Sequence, residues 1–265
     1  MKIYMALLLF GIALFILIWG TRIWWKDKES RQNRVFLCMS IAAFLWAGSL
    51  AVMFFCPERH TIYYATISSW GSHMFCVYVY LFFLTFYKED LFYRIVRVAA
   101  PLLATGLCYA RYYNGALVIV PTDYGYYYID KMCVTNYLSY AFLFFLCTMG
   151  VITLFRHRAR AQLMRERFCL TVWIILIIGF TFAMVGTTFY NMLRYIPTNP
   201  YEGFGGCAAA LLFYLIADYL DVIDIPSKNV RVYITEHLNL PVVFVDHVGR
   251  ITYCNEAYKE LFGLH

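Results

Sequence analysis

The chain has 265 residues, of which 62% are hydrophobic and only 14% charged, and its mean hydropathy is +0.62. Those values exclude an ordinary soluble domain. The net charge of +6 does not point to nucleic acid, because the basic residues fall in separate short loops.

A bilayer core takes about 20 apolar residues per helix. Stretches that qualify, in chain order, are Ile3–Trp25, Val35–Phe55, Ile62–Phe86, Val98–Val118, Val134–Phe155, Phe168–Asn191 and Gly203–Leu220. The first is too long for a signal-peptide core, and no small-residue cleavage site follows before Arg22, so it is expected to be retained. The fourth is interrupted by Arg111, Tyr112, Tyr113 and Asn114. If it does not span, the count becomes even. The fold class expected is an all-α membrane protein, a seven-transmembrane helix bundle, with short loops joining antiparallel neighbours.

Loop charge sets the expected orientation. Lys26, Lys28, Arg31 and Arg34 follow the first span. Lys88, Arg94 and Arg97 follow the third, and Arg156, Arg158, Arg160, Arg165 and Arg167 the fifth. The opposite loops carry only Arg59, then Arg111 with Lys131, then Arg194. A Lys/Arg excess marks the cytoplasmic side. The N-terminus is therefore expected outside and the C-terminus inside. Trp24 and Trp25, and the tyrosines at 124 and 126–128, are the interfacial anchors.

The longest outer loop, Ile119 to Thr135, carries Pro121-Thr122-Asp123-Tyr124-Gly125. It reads as a turn followed by an aromatic stretch able to fold as a lid. The cysteines form no CxxC pair, and Cys56 and Cys133, each near the outer end of a span, are candidates for a disulfide. Pro226 suits the first turn of a new helix, and Val230, Ile234 and Leu238 follow at helical spacing. The chain then divides into a bundle over 1–221, a connecting signalling helix over 222–238 and an α+β segment over 239–265.

Polar residues inside spans are functional candidates by default. Thr66, Ser69 and His73 share one helical face, with Ser68 and Ser72 beside them. His73 can bind a ligand, sense protons, coordinate a metal, or be a neutral imidazole bonded to a neighbouring helix. Arg111 can hold an anion or snorkel to the headgroups. The ligand-binding candidates are Ser69, Trp70, His73, Arg111, Asn114, Asn191 and Glu202, with Tyr112, Tyr137, Tyr140 and Tyr190 as further aromatic lining. The expected cavity opens outward among spans three to seven. No catalytic or metal-binding residue and no cofactor is expected: the chain has no Cys/His cluster at ligand spacing and no Schiff-base lysine mid-span in the last two helices.

In the tail, Val242–Val245 reads as a strand, Asp246-His247-Val248-Gly249 as a tight turn and Ile251–Tyr253 as a second strand. Asn255 then caps a helix through Ala257, Leu261 and Phe262. Asp246, Gly249, Asn255, Ala257 and Leu261-Phe262-Gly263 resemble the opening of a PAS domain, here incomplete. Arg165-Glu166-Arg167 stands before span six and Asn191 closes it. An outer loop with Pro197, Asn199-Pro200 and Tyr201-Glu202 follows, and Asp218-Tyr219-Leu220-Asp221 meets the membrane surface. With the tail, these resemble the seven-helix N-terminal sensor region of bacterial histidine kinases and diguanylate cyclases. The resemblance implies the sensory input of a signal-transduction protein in the bacterial inner membrane. Its partners would be membrane lipids, a small ligand, and a second copy through the cytosolic segment, with no nucleic acid. Kinase and GGDEF-like motifs are absent, so no catalytic output is expected from this chain. The alternative is a small-molecule transporter or channel, which would show broken spans in paired halves with charged midplane sites.

Overall fold

The structure, a computed structural model, describes residues 2–87, 91–123, 125–161, 164–194, 196, 208, 211–212, 240–245 and 251–263. The chain divides into two compact units, Met1–Ile216 and Ala217–His265.

Among the described residues the first unit has six long helices: α1 (Lys2–Lys26), α2 (Arg31–Met53), α3 (Glu58–Leu84), α4 (Leu91–Tyr113), α5 (Val134–Arg160) and α6 (Met164–Arg194). All six are long and apolar enough to cross a membrane, the make-up of a multi-pass membrane protein. The expected spans one to three, five and six fall on α1, α2, α3, α5 and α6. The fourth needs correction at both ends. α4 starts at Leu91 rather than Val98, runs unbroken through Arg111 and stops at Tyr113, while Val118 belongs to a strand. The expected seventh span, Gly203–Leu220, lies outside the described residues except for Ala208, Leu211 and Leu212. The expected connecting helix over 222–238 lies wholly outside them.

Side-chain spacing explains how the helices pack. α1 buries Ala6, Leu9, Ala13, Ile16 and Ile23, a three-to-four-residue stripe, and exposes Leu7, Leu8, Phe15 and Ile18 on its other side. α4 buries Tyr93, Ala100, Ala104, Cys108 and Arg111 on one face. α2 offers small residues, Ala42, Ala43, Ala47 and Ala51, which let α3 approach closely. The closest point is Gly71 of α3, where an added Cβ would lie 2.6 Å from the Trp46 nitrogen and 2.9 Å from the Ala42 carbonyl oxygen.

One end of the bundle is closed by aromatic stacking and a cationic cap. Phe86 stacks on His157 at 5.2 Å and on Trp173 at 5.8 Å, joining the end of α3 to α5 and α6. Arg31 Nη2 donates to the carbonyls of Thr85 and Tyr87, both at 2.6 Å, and so satisfies carbonyls at the α3 C-terminus.

Between α4 and α5 the expected loop is an antiparallel hairpin, β1 (Leu117–Thr122) and β2 (Gly125–Asp130), paired from Leu117–Asp130 to Thr122–Gly125. The turn falls where Pro121 to Gly125 placed it, but the flanks are regular strand. Gly125, at φ +133°, lies so close to the end of α2 that a Cβ there would meet the Met53 and Phe54 carbonyl oxygens at 3.0 and 3.1 Å. Tyr127 rests edge-on against Phe54 at 5.9 Å, and its hydroxyl donates to the Leu50 carbonyl. Burial pushes the Tyr127 phenol well above the ordinary tyrosine range. Cys56 and Cys133 are free thiols. The candidate disulfide is not formed, and the Cys133 thiol instead faces the Thr135 hydroxyl at 3.8 Å.

The second unit contains strands β3 (Val243–Val245) and β4 (Ile251–Cys254), antiparallel with an irregularity at Phe244/Val245, and a short helix α7 (Glu256–Phe262). Asn255 holds these pieces together. Its Oδ1 accepts from the amides of Val242 at 2.8 Å and Tyr258 at 3.0 Å, and its Nδ2 donates to the Leu240 carbonyl at 2.8 Å. The same side chain therefore caps α7 and pins the chain entering β3. Gly263 ends α7 in the left-handed region at φ 63°. Asp246 and Gly249 lie outside the described residues.

Candidate functional site

α3, α4, α5 and the hairpin each bring polar groups to one buried place. Arg111, near the end of α4, is only 3% exposed and Asp130, the last residue of β2, 7%. A lone charge there would be very costly, so the fork of donors must be filled. It is. Nε donates to Asn136 Oδ1 at 2.6 Å, Nη1 to Ser69 Oγ at 2.5 Å and Nη2 to Asp130 Oδ1 at 2.5 Å. The Tyr140 hydroxyl donates to the other Asp130 oxygen, and the guanidinium carbon lies 5.5 Å from the Tyr140 ring centre. Asn136 Nδ2 donates to the Ala116 and Lys131 carbonyls at 3.1 and 2.8 Å, fixing the base of the hairpin to α5.

His73 adjoins this network. Its Nδ1 is 2.7 Å from the Ser69 carbonyl and its Nε2 2.5 Å from Ser139 Oγ. A neutral imidazole satisfies both: Nδ1–H donates to the carbonyl, and Nε2 accepts from the serine hydroxyl. Ser139→Ala should leave Nε2 buried without a donor and cost about 1–3 kcal/mol. A lower melting temperature in detergent, with unchanged helical content by circular dichroism, is the expected reading; an unchanged melting temperature would mean that this contact carries no weight.

The network borders a cavity of about 70 Å³. Among the described residues its walls are Trp46 and Leu50 from α2, Ser69, Ser72, His73 and Cys76 from α3, and Arg111 from α4. Tyr128 and Asp130 of β2, Tyr140, Leu143 and Cys147 of α5, and Phe180, Thr181 and Thr188 of α6 complete them. A cavity of this size and polarity can take a few waters or the polar end of a small molecule.

Of the residues expected in the site, Ser69, His73 and Arg111 meet there, together with Tyr140. Arg111 does not snorkel, because its charge is answered inside the protein by Asp130. Trp70 turns to α4, where its indole N–H donates to Thr105 Oγ1 at 3.0 Å. Asn114 is exposed and bonds Thr135. Asn191 is not among the described wall residues, and the exposed Tyr112, Tyr137 and Tyr190 do not join them either. Glu202 lies outside the described residues. Asp130, Asn136 and Ser139 were not anticipated. Asn136, Ser139 and Tyr140 stand at i, i+3 and i+4 on one face of the first turns of α5, the same kind of spacing that singled out Ser69 and His73.

No protein family matches the chain, and no curated protein is similar enough to match it. The functional reading therefore stands on the residues and their geometry.

Proposed function

We infer that this chain is the sensory input region of a bacterial transmembrane signal-transduction protein, of histidine-kinase or diguanylate-cyclase type. The buried polar cavity beside Arg111 and His73 carries the reading. Five apolar helices, α2 to α6, and strand β2 of the hairpin converge on it, and a buried polar network of this cost in a membrane bundle marks a functional site. In this proposal a seventh span over Gly203–Leu220 completes the bundle, the N-terminus lies outside, and a ligand reaches the cavity from the outer side. Helix displacement then passes through residues 222–238, paired with a second copy, to a PAS-like domain that opens with β3, β4 and α7. The Asn255 cap and the two antiparallel strands support that last step.

The test is topology together with the reading frame. Reporter fusions at Lys28, Arg160 and Asn239 should all report cytoplasm, and the codons after His265 should continue into a kinase or cyclase output domain. A periplasmic signal at Asn239, or a reading frame that continues into further membrane spans, would overturn the sensor reading.

A further inference from the structure

We propose that the polar cavity and an apolar cavity next to it are the head and tail compartments of one binding site for an uncharged, medium-chain amphiphile with a hydroxyl or amide head. This deepens the sensor reading and rests on it.

The second cavity, of about 50 Å³, lies among α3, α5 and α6, with Phe75, Val79, Phe83, Leu146, Leu176 and Ile177 in its wall. Both cavities are bordered by Cys76, Cys147 and Phe180, so they are two sides of one partition. Polarity changes along the helices at that partition. On α3 the wall runs Ser69, Ser72, His73, then Cys76, then Val79, Tyr80 and Phe83. These steps of three and four residues keep a single face, and Ser69 to Phe83 spans ~21 Å at the helical rise. On α5 the wall passes from Tyr140 through Cys147 to Gly150. A ligand that is polar at one end and hydrocarbon at the other matches this gradient.

Charge and hydrogen bonding define the head. Among the described wall residues the charged ones are Arg111 and Asp130, and they are paired with each other. A head with its own net charge would lie uncompensated in a low-dielectric site, or would have to displace Asp130 from its partner. The hydroxyls of Ser72 and Thr181 donate to their own helices, to the Ser69 and Ile177 carbonyls at 2.8 and 2.7 Å. Ser72 Oγ also lies 3.5 Å from His73 Nδ1 and Thr181 also bonds Cys147, but a hydroxyl oxygen has two lone pairs, and the remaining acceptor capacity suits a head that brings an O–H or N–H of its own.

Gly150 provides the means of testing the tail compartment. A Cβ there would meet only side chains, Phe83 at 3.7 Å and Tyr80 at 4.0 Å. Gly150→Leu therefore fills the apolar side without touching the Arg111 network. The probe is decan-1-ol carrying a terminal diazirine, irradiated with the purified chain in lipid nanodiscs and mapped by peptide mass spectrometry. Label should appear between Phe75 and Phe83, Leu146 and Gly150, or Leu176 and Phe180. It should be competed by decan-1-ol better than by decanoate or decyltrimethylammonium. In Gly150→Leu it should fall at least ~tenfold, the scale of one misfitted group in an apolar pocket. Unsaturable label spread over the exposed face of α1 would overturn the proposal, as would stronger competition by either charged analogue. The competition series on the unaltered chain decides the matter even if Gly150→Leu does not fold. Saturable label in these segments combined with a periplasmic Asn239 would keep the site and remove the sensor reading; the converse result would remove only the amphiphile.

Discussion

Arg111→Met is expected to cost the bundle about 3–5 kcal/mol, the penalty for breaking a buried ion pair by removing one partner. Methionine keeps the unbranched stem to about the Nε position and removes the guanidinium, with its contact to the Tyr140 ring. It leaves the Asp130 carboxylate with the Tyr140 hydroxyl as donor and takes the guanidinium from Asn136 Oδ1 and Ser69 Oγ. Arg111→Lys should be nearly as damaging, because an ammonium cannot address three partners in a planar fork. The double variant Arg111→Gln with Asp130→Asn removes both charges while keeping amide donors and acceptors, and should recover most of the loss. The measurement is thermal unfolding in detergent, followed by tryptophan fluorescence across the set. If Arg111→Met melts with the parent, or if the double variant is the sum of the singles, the network is not the closed unit described above.

Gly71→Ala should destabilise by about 1–3 kcal/mol, although glycine to alanine inside a helix ordinarily stabilises. The added methyl would lie 2.6 Å from the Trp46 nitrogen and 2.9 Å from the Ala42 carbonyl oxygen. Both are backbone atoms, so no rotamer change makes room and α2 itself must move away. Trp46 also forms part of the cavity wall, so the displacement reaches the site. Gly106→Ala is the paired control: a Cβ there meets nothing within 4 Å, and the change should be neutral or stabilising. Opposite signs of the melting-temperature shift are expected for two chemically identical substitutions. If both raise the melting temperature, the α2–α3 crossing is looser than described.

These effects show what the sequence could and could not convey. Helices α1, α2, α3, α5 and α6 were legible because crossing a bilayer demands a long apolar run, and each satisfies that demand locally. The β1 strand was not, because Leu117 and Val118 read as the end of the fourth span and Ile119 onward as loop; only pairing with Gly125–Asp130 identifies it as a strand. The Asn255 cap was legible for the opposite reason, since its bonds stay within sixteen positions of chain. In the site, Ser69, His73 and Arg111 stood out as polar residues in apolar helices. Asp130 did not, because an acid beside a turn reads as solvated until the fold carries it to Arg111. Trp70 and Asn114 were misplaced because helical phase fixes which face a residue occupies, but not which neighbour that face meets.

The pairing of Arg111 with the far end of the hairpin also constrains biogenesis. An arginine costs about 2.5–3.5 kcal/mol at the centre of a membrane helix on the scale of cellular insertion, and less towards the end of the helix, where Arg111 sits. α4 released into lipid by itself would carry that charge unanswered. Its counter-ion arrives with the last residue of β2 and its amide partner with the first turn of α5. Joint release of the helix, the hairpin and the following helix would answer the charge before α4 meets lipid alone, and the order of synthesis delivers them in that sequence.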